Sequence, residues 1–200
     1  MDLKLSVARS QLGAALSLFL RDKDSVAVHV LACGGAEVIE GLADASDIAT
    51  LRTHVLETFP TFKATDFYSL RNRYWNAFKH FYDKDNRTAR NDEELISKFS
   101  DEMNDHVLFG GWLDYQLLAK KLPIEVQVFQ AWYFATNEEK LAPHVDLTPF
   151  RMIFPQIMET ERSERKRRLC RAIEKYRRNT KIVNDALTER QTLIAKAIYQ

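Results

Sequence analysis

Apolar residues recur along this chain at intervals of three and four, the spacing of helices that bury one face. Leu12, Leu16, Phe19 and Leu20 mark a first helix over residues 6–20, and Asp22 or Asp24 interrupts it. Asp24 or Ser25 can cap a second helix reaching to about residue 42, with the stripe Val28, Leu31, Ala32, Gly35, Ile39 and Leu42. The segment VAVHVLAC has strand-like residue types but lies inside that stripe, so it is expected as helix. Ser46 or Asp47 caps a short helix that stops before Pro60, because a residue preceding proline avoids the α region. A fourth helix covers residues 65–83. A fifth pattern runs over 92–122, opened by Asn91 and Glu94 and bent at Gly110-Gly111. Pro123 ends it and opens an aromatic-rich helix to residue 136, and Thr148-Pro149 opens another that Pro155 kinks or restarts. A basic helix and a last amphipathic one, using Val183, Leu187, Ile194 and Ile198, complete the chain. The expected fold is all-α: an antiparallel helical bundle over residues 1–145 and a basic, helical C-terminal extension over 146–200.

Composition agrees. In 200 residues, Gly and Pro together number only eleven, which leaves few turns, and 46% hydrophobic with 28% charged residues is the balance of a folded chain. No run of about 18 apolar residues stands out, and no secretory leader, so a cytoplasmic protein without a membrane partner is expected. Cys33 and Cys170 lie far apart and read as reduced thiols.

The net charge of +1 hides an asymmetry. Residues 1–150 carry 16 basic and 22 acidic side chains, whereas residues 151–181 carry 11 basic and 4 acidic. The block ERSERKRRLCRAIEKYRRNTK, residues 161–181, offers Arg165, Lys166, Arg167, Arg168, Arg171, Lys175, Arg177 and Arg178 as nucleic-acid contacts, since each neutralised phosphate releases counterions. The same block can dock on an acidic protein surface or remain a solvated helix face. Residues 159–168 contain no large apolar side chain, so this stretch is expected to project into solvent.

The fourth helix carries the densest chemistry. Phe67, Leu70, Tyr74, Phe78 and Phe81 form one stripe, widened by Tyr68, Trp75 and Tyr82, and should face the core. Asn72, Arg73, Asn76, Lys79, His80 and Asp83 fall opposite. Histidine moves protons near neutral pH, and arginine stabilises charge developing on phosphate, so Arg73, Asn76 and His80 are candidate catalytic residues. If that side packs on the second helix instead, His29, Lys79, His80, Asp83 and Asp85 would make a buried polar cluster. The latter arrangement is the expected one, because the second helix also carries a histidine beside its stripe. His29, Cys33 and Glu40 share a helix side at metal-ligand spacing, but too few candidates converge there to define a metal site. His106 reads as a core-edge histidine, and Trp132, Tyr133 and Phe134 as core rather than base-stacking residues. No zinc signature, phosphate-cradling loop, nucleophile elbow or dinucleotide fingerprint is present, so no metal or cofactor is expected.

Arg73, six intervening residues and His80 resemble the HEPN family motif, an Arg and a His four to six residues apart. That resemblance implies an α-helical bundle, frequent homodimers and, in active members, a metal-independent ribonuclease with its site at the dimer seam. Tyr74 stands directly after the arginine, where HEPN nucleases usually place a polar residue, and Asn76 supplies that group instead. WNAFKHFYDKD resembles the N-F-F-K-H-A-D-R-D segment of a family of uncharacterised bacterial helical proteins, with VAVHVLACGGAEVIEGL and FGGWLDYQLL…FQAWYFAT also similar, over roughly residues 8–136. No activity is established for that family. A non-catalytic protein that acts through an interface, with itself or with a regulatory partner, is therefore the first expectation. A HEPN-like ribonuclease is the alternative.

Overall fold

The computed structural model describes residues 3–83, 87–142 and 144–194, and within them ten α-helices and two short 3₁₀ turns account for the regular structure. The fold class is all-α, as the periodicity indicates. The chain divides into two compact units, residues 1–118 and 119–200, so the boundary expected near residue 145 falls inside the second unit.

The N-terminal unit begins with α1 (Leu3–Leu20) and α2 (Ser25–Ala45). Asp24 caps α2 by accepting the Ala27 amide at 2.8 Å. The two helices pack closely because Gly35 has no side chain: a Cβ there would lie 2.9 Å from Leu12 Cγ and 3.0 Å from the Ala8 carbonyl. By length and composition α2 could cross a membrane, but half of that apolar window is buried inside the fold. It is the central helix of this unit, with Val28, Ala32, Cys33 and Ile39 sealed in the core.

α3 (Leu51–Thr58) starts later than Ser46 or Asp47 would place it. α2 persists to Ala45, Asp47 takes a left-handed backbone (φ 54°), and Thr50 becomes the cap residue through its pairing with Thr53. α4 (Ala64–Lys79) ends four residues short of the expected 83. His80 is extended, and the chain turns back on itself: the Asp83 amide donates to the Thr88 carbonyl at 2.9 Å, and the Arg90 amide to the Phe81 carbonyl at 3.0 Å. The fifth pattern is two helices, α5 (Glu93–Ser97) and α6 (Met103–Ala119), divided at 98–102 and not at the glycines. Amides of Lys98 and Phe99 reach only three residues back, and Ser100 Oγ accepts the Glu102 amide at 3.1 Å, restarting the helix. Gly110 and Gly111 lie inside α6, where a Cβ on Gly111 would sit 2.9 Å from Leu12 Cδ2, so close packing rather than bending explains them.

In the C-terminal unit, α7 (Ile124–Thr136) follows Pro123 and is buried on most of its surface, including Val126, Phe129 and Trp132. α8 (Thr148–Ile153) has its proline in the first turn and sets Phe150 5.0 Å from Phe134. The basic helix α9 (Arg162–Arg177) does not project. It packs on α7 through Leu169 and Ile173, both buried. The apolar residues that dock it lie just beyond the polar stretch 159–168, which is why that stretch alone misled. The last expected helix is a single turn among the described residues, α10 (Thr180–Val183). Asp185 Oδ1 accepts the Leu187 amide at 2.8 Å, and Leu122 exchanges backbone hydrogen bonds with Leu187 and Glu189, so this backbone is satisfied without a helix. Leu187 and Ile194 are exposed; Ile198 lies outside the described residues.

Candidate functional site

Position 80 lies beyond the last turn of α4, so the side chains expected on one helix face separate. His80 is exposed, and its amide closes the helix on the Asn76 carbonyl at 3.1 Å. Arg73 is exposed and folds over the neighbouring Tyr74 ring at 4.6 Å, donating to the Tyr74 hydroxyl at 2.8 Å. Asn76 is half-buried between them. Lys79 Nζ sits 3.5 Å from the Trp75 ring centroid. Asp83 is exposed, 3.9 Å from Arg90, and Asp85 lies outside the described residues. The expected packing of His80 on α2 does not occur. Of the aromatic stripe, Tyr74, Trp75 and Phe78 turn inward, whereas Leu70 is 62% and Phe81 is 70% exposed.

His29 is only 2% exposed and meets a different set of partners. Its Nδ1 lies 2.9 Å from Asn104 Oδ1, and its ring is edge-on to Tyr74, Phe78 and Phe99 at 5.2–6.1 Å. Asn104 Nδ2 donates to the Ser25 carbonyl at 3.0 Å, which leaves Oδ1 as the atom facing the imidazole. Amide oxygen only accepts, so Nδ1 carries the proton and Nε2 is a bare acceptor in the neutral ring. Burial lowers the His29 pKa and the Asn104 hydrogen bond partly restores it, which favours that neutral form. Nε2 has no hydrogen-bond partner. Cys33 is buried and its thiol is pushed up to about 12 by burial, so it is an inert core residue.

Glu40 anchors the polar core of this unit, which the sequence pattern did not single out beyond its helix side. Its carboxylate, 4% exposed, accepts Arg52 Nε at 2.6 Å, Arg71 Nη1 at 2.5 Å and the Tyr68 hydroxyl at 3.2 Å, tying α2 to α3 and α4. His29, Cys33 and Glu40 thus go to three different sets of partners.

Beside this cluster lies a cavity of about 570 Å³, walled mainly by apolar side chains of α2, α3, α4 and α6. Asp114 of α6 lines it and accepts the first amide of α3, Leu51 N–H, at 2.7 Å through Oδ1. Burial pushes this carboxyl up to about 6, against the lowering effect of the Leu51 amide, and Glu40 adds to the rise. A carboxyl that holds its proton more tightly when folded favours the fold at low pH. That contribution is lost as pH rises from the ordinary carboxylate range through about 6. Asp114→Asn should therefore flatten the wild-type stability curve across about pH 4–6 in urea titrations. An unchanged slope in the variant would assign it to another group.

On α9, the basic residues divide between two environments. Lys166, 4% exposed, is buried with Leu169 and Ile173 and cannot serve as a contact, contrary to the sequence expectation. Arg177 pairs with the buried Glu125 of α7 at 2.7 Å and with Glu174. Arg165 donates to the Thr160 carbonyl and Arg168 to the Pro155 carbonyl, both at 2.8 Å. These bonds staple α9 to its own approach segment. Arg167, Arg171, Lys175 and Arg178 are exposed at helical spacing on one side. Glu164 holds Arg171 at 2.5 Å and Arg167 at 3.6 Å, whereas Lys175 and Arg178 have no carboxylate partner among the described residues.

No family model, curated protein or solved structure matches this chain.

Proposed function

We propose that this protein is a non-catalytic interaction protein whose contact surface is the outer face of α9 and whose partner is the phosphate backbone of RNA. The observation that carries the reading is the sidedness of α9. Leu169 and Ile173 fix one side on α7, and Arg167, Arg171, Lys175 and Arg178 are left in solvent on another. A helix anchored in this way presents its charges in a fixed row, so binding loses less side-chain and backbone freedom than a disordered basic tail would. The C-terminal unit holds 16 basic and 10 acidic residues, which adds a favourable long-range field.

The test is fluorescence anisotropy with a labelled single-stranded RNA across a salt series. Binding should weaken steeply with salt. Lys175→Glu with Arg178→Glu should weaken it by about 10-fold or more and reduce the log–log salt slope by about 1.4, two contacts at about 0.7 each. Binding indifferent to salt, or to these two reversals, would overturn the reading.

The exposure of Arg73 and His80 supports a second reading, a HEPN-like metal-independent ribonuclease assembled by two copies of the chain. The same RNA incubated with chelator tests it. Cleavage should occur without metal and fall about 100-fold in His80→Ala, the scale of a lost general acid or base. An intact RNA would dispose of that reading and leave the first untouched.

A further inference from the structure

The cavity of the N-terminal unit has a size and a chemistry that the basic helix does not use, and of the Arg73/His80 pair only Arg73 is part of its wall. Its volume of about 570 Å³ lies within the range of small-molecule sites, about 300–1,000 Å³. Its wall is apolar where Val55, Phe62, Phe67, Met103 and Val107 contribute, and Tyr74 adds an aromatic surface. Gly110 contributes no side chain, and a Cβ there would come within 3.0 Å of Leu51 Cδ2.

One acceptor without a protein donor belongs to this wall. Asp114 gives Oδ1 to the Leu51 amide, and no hydrogen bond reaches Oδ2 among the described residues. His29 also lines the cavity, but its bare Nε2 is sealed even from water, so Asp114 Oδ2 is the acceptor within reach of a ligand. In a largely buried residue such as Asp114, a carboxylate oxygen that no protein group donates to gains from a ligand hydroxyl that does. The charges around the cavity disfavour an ionic ligand. Arg73 lines it and opposes a cation, whereas Arg71, also in the wall, is already neutralised by Glu40. Asp114 opposes an anion, and His29, Tyr74, His106 and His54 are further titratable neighbours.

We propose that this cavity binds a small, uncharged, apolar molecule bearing one hydroxyl group, of the phenol class, with the O–H donating to the Asp114 carboxylate. The ring fills the space between α4 and α6, and the hydroxyl supplies the donor that the wall lacks. At pH 7.5 Asp114 is ionised and accepts without competition from its own proton.

The full chain is titrated calorimetrically at pH 7.5 with three compounds of one shape: 2-naphthol, 2-methoxynaphthalene and 2-naphthoate. The expected result is saturable 1:1 binding of 2-naphthol, with the methoxy ether and the carboxylate weaker by about 10-fold or more. Asp114→Asn places a donor where Oδ2 stood, so it should weaken 2-naphthol and narrow or reverse its advantage over the ether. Val107→Trp fills the cavity and should abolish binding of 2-naphthol. Amide shifts of the unmodified protein locate the compound independently of either variant, and they should concentrate at Val107, Gly110, Gly111 and Asp114. Equal affinity for 2-naphthol and its ether, no saturable binding, or shifts confined to residues outside the cavity would each overturn the proposal.

Discussion

Glu40→Ala is expected to destabilise the N-terminal unit by about 3–5 kcal/mol, the range for removing one member of a buried ion pair. The carboxylate is the shared acceptor of Arg52, Arg71 and Tyr68, which come from two other helices. Removing it leaves the half-buried Arg71 guanidinium without its counter-charge, while Arg52 keeps Asp44 at 2.8 Å and stays nearer to water. The loss on the Arg71 side therefore dominates. Glu40→Gln retains the shape and one acceptor oxygen and should cost less. Replacing Arg71 by Met in the Glu40→Ala background should recover part of the loss, because the stranded charge is then gone. Urea unfolding of the three variants measures this. A Glu40→Ala cost below about 1 kcal/mol would mean that the cluster contributes no more than an exposed pair.

Leu169→Ala should destabilise the C-terminal unit by about 2–5 kcal/mol, through lost transfer free energy and the cavity left behind. Leu169 is fully buried where α9 meets α7, and Ile173 one turn later has the same role. The exposed ion pairs of α9, such as Arg171–Glu164, contribute far less, because such pairs are worth about 0–1 kcal/mol each. Hydrogen exchange gives the sharper readout: amides across Val126–Ala135 of α7 should lose protection, since α9 covers that helix. Unchanged protection there would show that α9 is dispensable to its unit. Deleting residues 160–200 should consequently unfold the second unit, instead of leaving an intact body.

How far the candidate sites were legible from residues alone depends on the range of the interaction. The basic block of α9 is a local pattern and readable; the burial of Lys166, the tethering of Arg165 and Arg168 to carbonyls and the pairing of Arg177 with Glu125 are not, because they depend on how α9 packs. The α4 constellation assumed a helix continuing through residue 83. It fails at His80 because the 81–83 backbone pairs with 88–90, a contact between segments that no helical periodicity encodes. The Gly110-Gly111 pair reads as a bend but admits neighbouring side chains instead, because a glycine pair does not say whether it frees the backbone or lets a helix approach.

The sequence by itself determined the all-α class, because apolar spacing of three and four is a property of consecutive residues and survives any packing. It narrowed the α2 cap to Asp24 or Ser25 and set the break between α6 and α7 at Pro123, chemistry that acts within one turn, and it determined the aromatic core of α7. It also determined that positive charge concentrates in residues 161–181. Only the tertiary structure decided that Glu40 gathers two arginines, that His29 answers to Asn104, and that Asp114 and His29 share a cavity wall. His29 and Asn104 are 75 positions apart, and Asp114 and Leu51 are 63 apart. Such meetings depend on how helices cross, and a burial pattern names the faces that pack without naming which face meets which.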